Sequence, residues 1–279
     1  MTVAQAIDTT SPFGTYQAGT LDRLAWRIAE KRSISFGLRK SLRRLAGYLF
    51  SGPFDAEVEG IRFRIYPADN YDDRKIIARE RLPEREEHRL LAGYLKPGTV
   101  FADIGANIGS YTLFAAGKGA TVVAIEANPA TAEKLSFNIA ANELEKVTVI
   151  NTAVGEKEGS LQLWSVDTNI GFATLVPALT TGKWKGNWTS KSVPVRPLKS
   201  VLSGEKIIKI DVMKLDVEGF EDKVLLPYLA ALDQNNWPDV ILIETNCKDV
   251  WDTDAVRFLE EHGYGRTGQT LDNMLFVKQ

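Results

Sequence analysis

The stretch "VFADIGANIGSYTLFAAG", Val100 to Gly117, decides how this chain is to be read. Apolar residues run into Asp103, glycines punctuate the chain at Gly105 and Gly109, and a small, apolar run follows at once. "TVFADI" has the length and composition of a short buried strand, and "SYTLFAAGK" is long enough for a helix. Between them, Gly105 lets the chain turn with no Cβ in the way, and Gly109 lets the next helix or a ligand come close. A helix starting there offers free N–H groups and a partial positive charge, which suit a phosphate or a carboxylate.

The alternation continues downstream. "TVVAIE" (121–126) reads as a second strand, "PATAEKLSFNIAANE" (129–143) as a helix with Pro129 in its first turn, and "KVTVINTAV" (146–154) as a third strand. "VMKLDV" (212–217) and "DVILIET" (239–245) are further strands, followed by the helices "FEDKVLLPYLAAL" and "TDAVRFLEEHG". This spacing predicts an α/β fold of parallel strands joined by right-handed crossovers. The closing "YGRTGQTLDNMLFVKQ" (264–279) reads as a hairpin, and a short hairpin is antiparallel. One insertion interrupts the pattern: residues 160–198 begin and end like strands around a Gly/Thr/Trp-rich loop bearing Trp164, Trp184 and Trp188.

Upstream, residues 1–18 look frayed. Leu21, Leu24, Ala25, Ile28 and Ala29 then form one apolar helix face, and Leu38, Leu42, Leu45 and Leu49 form another. Residues 22–44 carry eight basic and two acidic side chains. They are read either as the solvated face of helices packed on the main domain or as a basic amphipathic surface for anionic lipid or substrate. Residues 56–69 alternate around Gly60 like a β-hairpin, and one polar helix is expected over 73–95, ended by "KPG". The divisions expected are therefore an N-terminal helical extension (1–54), a hairpin and helix leading into the core (55–98), and the core (99–279) with its 160–198 insertion.

Composition narrows the function. A hydrophobic fraction of 44% with 25% charged residues is that of a globular chain with a sizeable core. A formal net charge of −2 argues against a nucleic-acid coat protein. The single Cys247 excludes an internal disulfide and a Cys-rich metal site. The first residues lack the basic start and apolar run of a signal peptide, and no run is long enough for a spanning helix, so a cytoplasmic protein is expected, with peripheral membrane contact through helices 21–50 left open.

In an open parallel sheet, ligands bind at the C-terminal strand ends near the point where strand order reverses. The loop spacing here is G-x-x-x-G, not the G-x-G-x-x-G of dinucleotide sites. Asp103 at the loop is expected to attract an ammonium group, directly or through water, and Glu126, at the end of the second strand, to accept hydrogen bonds from two ribose hydroxyls. A ligand with a ribose, an amine and a carboxylate is S-adenosylmethionine.

"FADIGANIGSYTL", "AIEANP", "KLDVEGFE" and the closing "HGY…DNMLFV" resemble the FkbM-type branch of class I S-adenosylmethionine-dependent methyltransferases, over roughly 86–279. The resemblance implies a Rossmann-like seven-stranded sheet in the order 3-2-1-4-5-7-6 with strand 7 antiparallel. It implies methyl transfer, mostly to hydroxyls of sugars, lipid-linked saccharides or other natural products. It places Asp103, Gly105, Ala106 and Asn107 at the methionine end, Glu126 on the ribose, Ala127 and Asn128 along the adenosine, and Thr152 and Ala153 beside the adenine. Lys199, in "PLKS", stands where the family often has an acid.

"KLDVEGFED" puts Asp216 at the end of the strand expected beside the glycine-loop strand, so it is the candidate general base, with Glu218 as its partner and Glu244 as a third acid. Glu221 and Asp222 read as the acidic first turn of a helix. Such acids can also hold a divalent cation, but His88 and His262 are isolated and no metal site is expected. The rival readings are an NAD-dependent oxidoreductase and a nucleoside-binding module without catalysis.

Overall fold

The computed structural model describes residues 6–166, 168–181 and 187–279. From Val100 the strands β3 (Val100–Ile104), β4 (Thr121–Ile125), β5 (Val147–Ile150), β10 (Val212–Leu215), β11 (Val240–Glu244), β12 (Tyr264–Gln269) and β13 (Asn273–Lys278) build one sheet. Its spatial order is β5-β4-β3-β10-β11-β13-β12. Counted along the chain this is 3-2-1-4-5-7-6, and β13 lies antiparallel to both neighbours while β5, β4, β3, β10 and β11 run parallel. Apart from Asp103 and Lys214, the central strands β4, β3, β10 and β11 are mostly apolar and buried, as crossover helices on both faces require. Those helices are α5 (Ser110–Gly117), α6 (Pro129–Ala141), α9 (Glu221–Ala230) and α10 (Ala255–Glu261). Asn128 caps α6 through its side chain, which accepts the Ala130 N–H at 3.2 Å.

The insertion folds as a sheet of its own. β6 (Ala153–Gly155), β7 (Gly159–Val166), β8 (Asn169–Thr174) and β9 (Trp188–Pro197) pair in the order β6-β9-β7-β8, with the short α7 (Ala178–Thr181) after β8 and α8 (Leu198–Gly204) after β9. The expected third strand "KVTVINTAV" therefore divides. Its first half is β5 in the main sheet, and its second half is β6, which leaves that sheet to pair with β9. Trp188 lies 5.7 Å from Phe172, ring to ring, inside this layer. Trp184 falls outside the described residues.

Before the core come α1 (Thr20–Ala29), α2 (Phe36–Leu49), the hairpin β1 (Phe54–Val58) and β2 (Ile61–Ile65), α3 (Tyr71–Arg79) and α4 (Arg85–Leu91). The single helix expected over 73–95 is two. Pro83 cannot donate to a helix ladder and pushes its predecessor out of the helical region, and the chain turns at Glu80 and Glu84, both left-handed with φ 50 and 55. Residues 8–16, expected to fray, are held down. The buried Arg64 guanidinium, paired with Asp55 at 2.7 Å, donates to the carbonyls of Asp8, Ser11 and Pro12. Nor are α1 and α2 mere attachments: Trp26, Ala29 and Ala46 are buried in a core shared with Phe63, Ile65 and Ile76. No helix among the described residues is long and apolar enough to cross a membrane.

Candidate active site

Register builds the site. Ile150, Ile125, Ile104, Leu215 and Ile243 stand level across β5, β4, β3, β10 and β11. The residues that follow four of them, Glu126, Gly105, Asp216 and Glu244, emerge in one row at the carboxyl edge. A cavity opens above that row, lined by all four of these residues. Gly105 is the pivot. Its φ is +77°, and a Cβ there would lie 1.8 Å from the Asp216 carbonyl oxygen. Only glycine lets β3 turn against β10 this closely.

At one end of the cavity Glu126 is held by two backbone donors, the N–H groups of Asn107 and Asn128, each at 2.8 Å. Burial raises its pKa, and those two hydrogen bonds oppose the shift. Ala127, Thr152 and Ala153 line the wall nearby, with Leu163 and Phe172 from the inserted sheet. At the other end stand Asp216, Glu218 and Glu244, each able to bring a carboxylate oxygen within 4.8 Å of the other two. Burial, then repulsion by Asp216, raises Glu218 and Glu244 well above the ordinary carboxylate range. Glu244 is 7% exposed; its Oε2 has no hydrogen-bond partner among the described residues, while its Oε1 accepts from Asn246 at 3.3 Å. Glu218 sits in the left-handed region at φ 53, its carbonyl pinned by the Thr174 hydroxyl at 2.7 Å.

Lys214 ties the row from behind. Buried two residues before Asp216, it donates to the Gly105 carbonyl at 2.7 Å and lies 3.4 Å from Asp103 and 3.6 Å from Asp216. Burial opposes its charge, but Asp216 and Asp103 outweigh that and hold its pKa above the usual lysine value.

Of the expected cofactor-binding residues, Gly105, Asn107, Glu126, Ala127, Thr152 and Ala153 line the cavity, and Asp103, Ala106 and Asn128 do not. Asp103 lies behind the cavity wall: it is 0% exposed, accepts the Thr112 hydroxyl at 2.7 Å and lies 3.4 Å from Lys214, its register partner on β10. Ala106 is buried with its N–H on the Ile125 carbonyl, and Asn128 is spent on the α6 cap. Asp216, Glu218 and Glu244 all reach the cavity. Glu221 instead accepts the Val217 and Gly219 N–H groups and the Trp251 indole N–H, as a residue opening a helix does. Lys199 is exposed and donates to the Ala231 carbonyl.

Sequence reading missed Asp72, Lys75 and Glu84, which reach the cavity from α3 and the turn before α4, and Asp272 from the terminal hairpin. The signal was there in "DNYDD". Asn70 caps α3 and donates to Asn107 Oδ1 at 2.9 Å, while Asn107 Nδ2 donates to Asp72 at 2.9 Å. Burial, then Asp72, pushes Glu84 up to about 7.

The family model of the methyltransferase FkbM domain matches residues 103–265, more than half of the chain. The chain belongs to the FkbM methyltransferase family. No curated protein matches the chain. Among solved structures, precorrin-6y C5,15-methyltransferase from Geobacter metallireducens GS-15 is 16% identical, with 76% of this chain and 100% of that one covered and a TM-score of 0.43. An rRNA methylase from Streptococcus thermophilus is 14% identical, with 71% and 97% covered and a TM-score of 0.42. The T. Thermophilus 16S rRNA N2 G1207 methyltransferase RsmC, in complex with AdoMet and guanosine, is 16% identical, with 81% and 50% covered and a TM-score of 0.42. The FkbM match contains Glu126 and all three carboxylates of the far end, whereas Asp72, Lys75, Glu84 and Asp272 lie outside it.

Proposed function

We propose that this FkbM-family protein is an S-adenosylmethionine-dependent O-methyltransferase acting on a hydroxyl of a saccharide, glycolipid or other polyhydroxylated small molecule. One observation carries the reading. A single cavity at the carboxyl edge of the sheet has a backbone-oriented carboxylate, Glu126, at one end and three clustered carboxylates at the other.

The residues fit the cofactor. Glu126 uses its two N–H contacts for orientation and keeps lone pairs for a ribose diol, and Ala127, Ala153 and Leu163 offer an apolar wall for an adenine. When bound, the cofactor supplies a sulfonium-activated methyl, and an S–C bond is exchanged for an O–C bond while the acceptor hydroxyl loses its proton. Asp216 is the group placed to take that proton, being on the strand beside the glycine loop. Lys214 fixes Asp216 and the Gly105 turn relative to one another. Glu218 and Glu244 hold the acceptor's hydroxyls, protonated or ionised as their raised pKa values dictate. Alignment and exclusion of water supply the rest of the acceleration.

A second reading has one observation in its favour. The unpartnered Oε2 of Glu244, with Asp216 and Glu218 close by, makes an all-oxygen set that suits a hard divalent cation, which would lower the acceptor's pKa in place of a carboxylate base.

The test is calorimetry with S-adenosylmethionine and with NAD, then methyl incorporation across saccharide, glycolipid and small-hydroxyl panels, with product mass raised by one methyl. Binding of NAD alone sinks the proposal. Asp216→Asn should slow the single-turnover methylation step by about two orders of magnitude with cofactor affinity unchanged. Wild-type rate in that variant removes Asp216 as the base, and loss of wild-type activity on chelation that magnesium restores selects the cation reading.

A further inference from the structure

The outward faces of α1 and α2 are apolar. Leu21, Leu24 and Ile28, spaced as one helical stripe, are 69%, 48% and 42% exposed. On α2, Leu38, Leu45 and Leu49 form a second stripe, each more than half exposed, flanked by Tyr48. Both helices bury another face, through Trp26, Ala29 and Ala46 with Leu42 partly buried beside them, in the same core cluster, while the stripe residues stay in water. Large apolar side chains left in water on two packed helices form a patch of the kind that marks an interaction site.

Charge identifies the partner. Lys31, Arg32, Lys40 and Arg44 are exposed around the stripes. The only acids between residues 20 and 50 are Asp22 and Glu30. Glu30 is buried against Arg43 and Arg74, and Glu80 of α3 pairs with Arg23 and Arg27, which leaves Lys31, Arg32, Lys40 and Arg44 outside any ion pair among the described residues. The whole chain is net negative, which makes this segment a local basic island. A second copy of the chain fits badly, because an isologous contact would set the same cations against each other. Nucleic acid would use the cations and leave the leucines in water.

We propose that α1 and α2 dock the protein on an anionic lipid surface, with the leucine and isoleucine side chains entering the acyl boundary and the lysines and arginines meeting the lipid phosphates. α1 packs against α3, and α3 supplies Tyr71, Asp72 and Lys75 to the cavity wall. The docking itself does not depend on which reaction the cavity performs.

The experiment is co-sedimentation of the full-length protein with phosphatidylcholine vesicles made with and without phosphatidylglycerol. The wild type should partition onto the phosphatidylglycerol vesicles and come off as salt is raised. Lys40→Glu with Arg44→Glu should weaken partitioning by about tenfold or more, and Leu24→Glu with Leu45→Glu, which removes apolar area and adds repulsion, should do the same. Circular dichroism melts check that both variants fold. The salt titration of the wild type needs no variant at all. No partitioning, equal partitioning onto phosphatidylcholine alone, or unaffected variants would overturn the proposal. So would a dimer in analytical ultracentrifugation that Leu24→Glu with Leu45→Glu dissolves, because the face would then be an interface between copies.

Discussion

Gly105 and Glu126 show what single residues could and could not reveal. That the glycine loop marks a ligand edge was legible from its spacing, because a left-handed turn at a strand end demands glycine. The reason this glycine is irreplaceable was not, since it is the carbonyl of Asp216, more than a hundred residues away, that occupies the space of its Cβ. Gly105→Ala therefore faces a backbone clash as well as left-handed strain, the latter alone costing about 1–3 kcal/mol. Its urea midpoint should fall, and calorimetry should find S-adenosylmethionine binding lost; a variant as stable as the wild type would mean the β3 turn relaxes freely. Glu126→Ala should weaken the cofactor by about 1–3 kcal/mol through lost hydrogen bonds. Because the same carboxylate orients the Asn107 and Asn128 N–H groups, Glu126→Gln is the companion variant, keeping an acceptor for one of them. Undiminished affinity in both would place the ribose elsewhere. Asp103 is the lesson in the other direction. The residue type and position suggested a ligand contact; that the side chain lies buried beside a lysine in register on the neighbouring strand was not legible, because one sequence does not announce strand register.

Elements were legible where the pattern is local. The parallel strands, their crossover helices and the antiparallel closing hairpin follow from short apolar runs, period and turn length. One failure was non-local: "NTAV" changes sheets because its partner is β9, some forty residues on. The other was a local signal passed over, since the α3–α4 break sits at Pro83 between two left-handed glutamates. α4 itself offers a test. His88 is buried, stacked on Phe114 at 4.6 Å and edge-on to Tyr111 at 4.9 Å. Burial lowers its pKa from 6.5 to about 4. The folded state thus holds it neutral while the unfolded chain takes up a proton below pH 6.5. Its contribution is complete above pH 6.5 and is lost as pH falls toward 4, at about 1.4 kcal/mol per pH unit for one group. Urea unfolding of wild type and His88→Phe at pH 7 and pH 4.5 should show the wild type losing more stability on acidification. Parallel losses would mean that His88 is not held neutral by the fold.

For the molecule as a whole, the question left by the sequence was whether the N-terminal helices build the core or serve a partner. The structure divides the answer by helix face, a division visible only once both sides of each helix are placed. The inner face is structural. Trp26 is 1% exposed and its indole N–H donates to the Phe50 carbonyl at 2.9 Å. Glu30, buried, pairs with Arg43 and Arg74. The segment before α1 supplies three carbonyls to buried Arg64. Deleting residues 1–50 would strip all of these at once, uncovering Ile65 and Ile76 and leaving the Arg64 guanidinium with only Asp55 and the Phe137 ring of its present partners. The truncated chain should therefore unfold at markedly lower urea concentration, with weakened cofactor binding as a consequence of lost folding. Trp26→Ala isolates the inner face with the outer leucines untouched, and should cost about 3–5 kcal/mol, as large aromatic truncations in a core do. If the deletion instead melts like the full chain and binds S-adenosylmethionine equally well, the apolar contacts of Trp26 contribute nothing to the core, and both helices are then appendages whose two faces are open to a partner.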